Sequence, residues 1–342
     1  MSKDWSAVLD RLLDGESMKE SEAYALMQKL ATGELPDALA GALLASLRAK
    51  GETANEIRGF ATAMRELAIH PKIPDGTPTV DTVGTGGDGS GSLNISTGAG
   101  LLAAACGARV VKHGNRLVSS QSGSADLLEC MGLPMPLHEK EAVECLQATN
   151  FTFLFAPAYH PAMKAVVPVR AALSVRTVFN ILGPLTNPAA PPYQLIGAFS
   201  QDAAKLMADA LAGMPMKRAF VVHGASGWDE ATPIGEFTLY DVVPGKVTET
   251  TRTPEDYGMK RCSPEDLAGG DAGNNVRALM RVFSGDDKGA HRDALTMSTS
   301  LVLEVMGMAT DAKQGVEIAS AALDGGAAAA LAKGLRQHFE TG

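Results

Sequence analysis

The sequence predicts an α/β protein: a small N-terminal helical domain followed by a larger α/β domain with a central, largely parallel sheet. Three observations carry this expectation. No strand-like run occurs before about residue 70. The segment Pro71–Pro78, with three prolines and a glycine, reads as a linker. Beyond it, short β-like runs alternate with runs rich in Ala and Leu, the pattern of helices packed on parallel strands.

Each element has a local reason. Ser17-Met18-Lys19-Glu20 and Thr53-Ala54-Asn55-Glu56 fit the capping box, in which a hydroxyl accepts from the N3 amide and a Glu reaches back to the cap amide. Between them, Leu39, Leu43, Leu44 and Leu47 recur at helical spacing, and Gly51 stands where a glycine closes a helix. The expected strands are Thr79–Val83, Arg109–Lys112, Phe151–Phe155, Gln194–Phe199 and Arg218–Val222. A hairpin, Phe237–Val243 and Lys246–Thr251, is bridged by Pro244-Gly245. From Asn274 the pattern is helical to the alanine-rich run Ala327–Ala332.

Composition narrows the function classes. The 342 residues are 45 % hydrophobic and 20 % charged, with a formal net charge of −9. Such an acidic chain lacks the basic face that non-specific nucleic-acid binding needs, so an anionic ligand must be held by local positive charge. Cys106, Cys130, Cys145 and Cys262 lie far apart without a C-x-x-C pair, so disulfides and structural zinc are not expected. The N-terminus has no apolar signal region, and no stretch approaches the roughly 20 charge-free residues of a membrane span. A cytoplasmic protein is expected.

Four segments carry chemistry. Gly84-Thr85-Gly86-Gly87-Asp88-Gly89 follows the first strand, and Asn94-Ile95-Ser96-Thr97 leads into the apolar helix Gly98–Cys106. Strand, glycines and helix N-terminus together present free amides to a phosphate, and the polar residues cap the helix or bind phosphate oxygens. The alternative is a tight turn before a capped helix. The loop is neither a dinucleotide fingerprint, lacking the ribose-binding acid, nor a P-loop, lacking Gly-Lys-Ser/Thr.

Lys112-His113-Gly114-Asn115-Arg116 follows the second strand and leads through Ser119 to Ser124 into another helix. Loops after neighbouring parallel strands share one sheet edge, so this loop is expected to face the first across a crevice. His113 reads as a hydrogen-bonded structural histidine rather than a proton-transfer group. Asp229-Glu230 lies beyond the fifth strand, where adjacent carboxylates can hold Mg²⁺ with water and substrate oxygens; most such pairs are merely solvated charge. Arg170 and Arg176 are both suited to a planar carboxylate, and the residues alone do not rank them.

In order and spacing these segments, with Gly123-Ser124-Ala125-Asp126, His160-Pro161-Ala162-Met163, Arg176-Thr177-Val178-Phe179-Asn180, Gly183-Pro184-Leu185 and His223-Gly224, resemble the anthranilate phosphoribosyltransferases of tryptophan biosynthesis. The resemblance spans the chain. It implies the nucleoside phosphorylase/phosphoribosyltransferase-like fold, with a helical domain at 1–72, joined by part of the 163–188 segment, and an α/β phosphoribosyl-binding domain at 73–342. It implies a homodimer joined through the helical domain, with no nucleic-acid or membrane partner. The reaction would transfer phosphoribosyl from phosphoribosyl pyrophosphate to the amine of anthranilate with Mg²⁺, releasing pyrophosphate. Gly84, Gly87, Asp88, Ser92, Asn94, Ile95, Ser96, Thr97, Lys112, His113, Gly114, Asn115, Arg116, Leu117, Val118, Ser119, Ser120 and Ser124 would surround phosphoribosyl pyrophosphate. Gly84, Asn115 and Arg170 would contact anthranilate, and Ser96, Asp229 and Glu230 would bind Mg²⁺. No residue is expected as a general base.

Three positions depart from the commonest pattern. Gln121 stands where many members carry Lys, Ser174 where Gly is frequent, and Trp228 where a smaller apolar residue is usual. Two rivals share the fold. A pyrimidine nucleoside phosphorylase would carry different phosphate loops. A non-catalytic nucleic-acid-binding relative would need a basic groove and the loss of Asn115, Arg170, Asp229 and Glu230.

Overall fold

The computed structural model of the protein describes residues 4–116 and 122–340. Four helices come first: α1 (Trp5–Leu13), α2 (Glu20–Thr32), α3 (Asp37–Lys50) and α4 (Ala54–Glu66). The box at Thr53 forms as expected, with Glu56 N donating to Thr53 Oγ1 at 3.4 Å and Thr53 N donating to Glu56 Oε2 at 2.8 Å. The box expected at Ser17 does not form. Helix α2 begins two residues later than that frame requires, with Lys19 as N-cap and its amide on Glu22 Oε2 at 3.0 Å. Glu56, buried below α2, takes the Met18 amide at 2.8 Å, and this long-range bond fixes the entry to α2.

The α/β part alternates as the pattern predicts: β1 (Thr79–Gly84), α5 (Ile95–Ala105), β2 (Arg109–Gly114), α6 (Ser124–Cys130), α7 (Glu139–Thr149) and β3 (Phe151–Phe155). Short helices α8 (Ala156–Tyr159), α9 (Val167–Leu173) and α10 (Phe179–Leu182) lead to β4 (Tyr193–Gly197), α11 (Gln201–Leu211) and β5 (Arg218–His223). The hairpin is β6 (Phe237–Val243) and β7 (Lys246–Arg252); α12 (Ala272–Phe283), α13 (Ala290–Val305), α14 (Ala312–Asp324) and α15 (Ala327–Glu340) follow. Strand β2 runs two residues beyond its expected end, and β4 stops two residues short of Phe199. Among the described residues no single helix is long and apolar enough to cross a membrane.

The seven strands order as β3-β2-β1-β4-β5-β6-β7. The first five are parallel, and β6 and β7 are antiparallel additions. The chain moves outward from β1 through β2 to β3, then returns to the other side of β1 with β4. The strand order therefore reverses between β1 and β4, and the crevice beyond their C-terminal ends is where such sheets bind ligands.

The sheet, rather than the linker, divides the apolar interior. On one face α5, α13 and α15 pack over Val80, Val110 and Phe220. On the other, Ile196, Val221 and Tyr240 join α11 and all four N-terminal helices in one continuous cluster. Val166, Val169, Val178, Phe179 and Leu182 belong to this second cluster, so the segment between β3 and β4 packs with the N-terminal helices. Arg65 Nε donates to Leu185 O at 2.7 Å and Ile69 N to Tyr159 O at 2.8 Å, tying the segment to α4 and its exit.

Candidate active site

A cavity of about 390 Å³ opens at the switch point. It is lined by Val83 to Thr97, Lys112 to Arg116, Ser122, Ser124, Asp229 and Glu230. The glycine loop, the start of α5, the loop after β2 and the acidic pair thus converge on one space. Of the expected phosphoribosyl pyrophosphate set, Leu117, Val118, Ser119 and Ser120 lie outside the described residues, as does Gln121.

The acidic pair reaches the cavity by lying across the sheet edge. Gly84 and Gly197 face each other at the ends of β1 and β4. A Cβ at Gly84 would stand 2.3 Å from Asp229 Oδ2, and one at Gly197 would stand 1.5 Å from Asp229 O. Only residues without a side chain let the Asp229 backbone and carboxylate approach here. Asp229 is then held by the glycine loop, its carboxylate by Gly86 N donating to Oδ2 at 2.6 Å and its backbone by Asp229 N donating to Asp88 Oδ2 at 3.2 Å. Glu230 Oε1 accepts from Ser96 N in the first turn of α5 at 3.0 Å. The helix N-terminus that the sequence offered to a phosphate thus holds a carboxylate, which shows the anion preference of this end.

Electrostatics mark the site. Burial, with Asp88 nearby, pushes the Asp229 carboxyl up to about 7. Burial and the Asp229 charge push Glu230 up to about 8, with Lys112 opposing. Two carboxylates held above their ordinary range carry negative potential that a divalent cation relieves. Among the described residues no three His, Cys, Asp or Glu side chains form a metal cage. A hard divalent cation is commonly bound through one or two carboxylates with water and substrate oxygens.

Lys112 is placed differently from a solvated phosphate ligand. Its side chain is 2 % exposed, and Nζ donates to Thr82 O and, at 3.3 Å, to Ser96 Oγ. Burial lowers its pKa, while Asp81, Glu230 and Asp229 act in the opposite sense. It forms part of the cavity floor as a counter-charge to the acidic pair and fixes the Ser96 hydroxyl. Asp81, fully buried on the opposite side of β1, is pushed up to about 6 by burial; it accepts from Asn187 Nδ2 at 2.8 Å and His113 N at 3.2 Å.

His113 is buried, and burial with neighbouring His160 lowers its pKa to about 3, so the ring is neutral. The two rings meet edge-on at 5.1 Å between centroids. This is the environment of a structural histidine. Asn115 and Arg116 are exposed at the cavity, and the Arg116 guanidinium is engaged by Asp126 at 2.8 Å and Glu129 at 2.7 Å.

The structure separates the two arginines that sequence could not rank. Arg176 donates from Nη2 to Gly87 O and stacks over the Phe199 ring at 4.1 Å. Its own carbonyl takes Arg48 Nη1 at 2.7 Å, so α3, this segment and the glycine loop are linked. Arg170 lies over the Phe179 ring at 4.9 Å, and its guanidinium makes no hydrogen bond or ion pair among the described residues. Its fork is the one left available to a carboxylate. Arg170 does not line the cavity, and Arg48 and Phe199 were missed in the sequence because each matters only through contacts distant in the chain.

Comparison with known proteins agrees with this geometry. The glycosyl transferase family, helical bundle domain, matches residues 6–68, and the glycosyl transferase family, a/b domain, matches residues 76–329. An anthranilate phosphoribosyltransferase of Rubrobacter xylanophilus is 43 % identical over 316 residues, 92 % of each chain. The crystal structure of anthranilate phosphoribosyltransferase from Thermus thermophilus superposes with a TM-score of 0.91 at 40 % identity, covering 97 % of this chain and 99 % of that one. That of Saccharomyces cerevisiae in complex with PRPP and Mg superposes with a TM-score of 0.90 at 25 % identity, covering 98 % of both. Both family profiles and these full-length likenesses place the chain in the anthranilate phosphoribosyltransferase family.

Proposed function

We propose that this cavity performs the family's reaction, with Mg²⁺-bound phosphoribosyl pyrophosphate held between the glycine loop, the start of α5 and the loop after β2. The convergence of those loops with Asp229 and Glu230 in one cavity carries the reading. In it, Gly84, Gly87, Asp88, Ser92, Asn94 to Thr97, Lys112 to Arg116 and Ser124 surround the donor. Ser96, Asp229 and Glu230 hold the cation, while Gly84, Asn115 and Arg170 receive anthranilate.

The amine of anthranilate attacks the anomeric carbon as the bond to pyrophosphate breaks, and the nitrogen then releases one proton to solvent. An aromatic amine needs little deprotonation first, and the buried, neutral His113 is not placed as a strong base. Mg²⁺, when bound, supplies neutralisation of charge growing on the leaving pyrophosphate. Loop amides and the α5 N-terminus bind the phosphates and assist leaving-group departure. Arg170 and Asn115 orient the amine; holding reactants in near-attack geometry lowers such barriers by roughly 7–11 kcal/mol at best.

The same reading makes residues 1–72, with part of 163–188, the helical domain of a cytoplasmic homodimer joined through it, acting on small molecules rather than nucleic acid or membrane. The test is anthranilate fluorescence. Its consumption should require both phosphoribosyl pyrophosphate and Mg²⁺; consumption without the donor, or none with both, refutes the proposal.

A further inference from the structure

Asp229 and Arg176 hold the first half of the glycine loop. The stretch after it, Gly91 to Asn94, is held from outside the cavity, by Leu267, Ala268, Gly269 and Asn275. Leu93 N donates to Leu267 O at 3.0 Å, Gly269 N donates to Gly91 O at 2.8 Å, and Ser92 pairs with Ala268 in an isolated antiparallel bridge. A Cβ at Gly269 would stand 2.5 Å from Ser92 O, so this short ladder requires glycine there. The chain then enters α12, where Asn275 is 2 % exposed. Its Oδ1 accepts from Gly270 N at 2.7 Å, and its Nδ2 donates to Asn94 Oδ1 at 2.8 Å.

Asn94 is the N-cap of α5, a position where an asparagine oxygen ordinarily accepts from an amide of the first turn. Here it makes no such bond. Its Oδ1 is taken by Asn275 and, at 3.4 Å, by Ser122 Oγ, while its Nδ2 donates to Ser122 O at 3.1 Å. The Asn94 side chain is thereby kept off the first-turn amides of α5, and the Ser96 amide is taken instead by Glu230. The two bonds with Ser122 tie α5 to the exit of the loop after β2.

We propose that Asn275 is a positioning residue for phosphoribosyl pyrophosphate, acting through Asn94 to hold that side chain off the α5 amides and to keep the segment before α5 in register with Ser122 at the exit of the loop after β2. The inference rests on the proposed donor site. A role in local structure alone would run through Gly270, and one substitution separates the two. Asn275→Asp keeps an acceptor for Gly270 N but turns a carboxylate oxygen toward Asn94 Oδ1; Asn275→Ala removes both contacts.

The test measures KM for each substrate at pH 8 in the wild type, Asn275→Ala, Asn275→Asp, Asn94→Ala and the Asn94→Ala/Asn275→Ala double variant, with melting curves alongside. Both Asn275 variants are expected to raise KM for phosphoribosyl pyrophosphate roughly tenfold, as loss of a buried hydrogen bond would. KM for anthranilate should stay within about twofold. In the Asn94→Ala background, Asn275→Ala should add little to KM while still lowering the melting temperature. A wild-type donor KM in Asn275→Asp, or an undiminished effect in the double variant, overturns the role of Asn275 alone. Absence of donor-dependent activity in the wild type overturns the site on which it rests.

Discussion

Replacing Asp229 and Glu230 together by Asn and Gln should stabilise the metal-free protein while abolishing turnover. The amide oxygens can still accept from Gly86 N and Ser96 N, the bonds made by the carboxylates. What is lost is buried negative charge. In the unfolded chain these carboxyls titrate near 3.8 and 4.5, and in the fold near 7 and 8. Between those limits the folded state binds more protons, so stability is fully present below the unfolded values and is lost as pH rises through the folded ones. Each pKa unit is about 1.36 kcal/mol, so relief of even part of these shifts is worth on the order of 2 kcal/mol. The two overlap because each includes the other's charge, and Lys112 loses two counter-charges in the variant. A net gain of about 2–3 kcal/mol at pH 8 remains, or roughly 2–6 °C in Tm. Melting in EDTA at pH 8 and near pH 4 measures it: the gain should shrink toward zero at the lower pH. Adding Mg²⁺ with pyrophosphate should raise the wild-type Tm and leave the variant's unchanged. A variant less stable than wild type at pH 8, or one that keeps wild-type turnover, refutes the reasoning.

Further expectations follow from single residues. Arg170→Ala should raise KM for anthranilate about tenfold or more with little change in kcat, because the guanidinium has no other hydrogen-bond or ion-pair partner among the described residues; an unchanged KM moves the role to Arg176. Ser174 closes α9 in the left-handed region at φ 50°, so Ser174→Gly should raise stability by roughly 0.5–1 kcal/mol in denaturant titration, and a loss would show that its Oγ bond to Ala171 O matters more. Gly197→Ala places a Cβ 1.5 Å from Asp229 O and should abolish Mg²⁺-dependent turnover, measured by anthranilate fluorescence on the folded fraction.

The periodic elements were legible because their causes are local. Alternating apolar runs gave the five parallel strands to within two residues, and Thr53 with Glu56 gave a cap that contacts within four residues can specify. The box at Ser17 failed because Glu56, distant in sequence, takes the Met18 amide and fixes the start of α2 at Lys19. Asn94 shows the same contest: its type suits capping, but Asn275 and Ser122 compete for its oxygen. The family departure at Ser174 became meaningful only with its backbone angle, since a left-handed helix end is what a glycine there would favour. Trp228 is buried in the core beside the acidic pair, so the larger side chain is absorbed by packing rather than by the cavity.

By itself the sequence determined the α/β class, the order of elements, the glycine loop, the basic loop and the presence of an acidic pair, because spacing and residue type act over a few neighbours. Tertiary structure decided which groups meet. It set Asp229 against Gly84 and Gly197, turned Lys112 inward to Ser96, and engaged Arg176 while leaving Arg170's fork unpaired among the described residues. It also brought α12 to the phosphate loop through Asn275. These are contacts between strand ends and loops far apart in the chain. Their energies depend on burial and approach distance, which only the closed sheet and its packed faces supply.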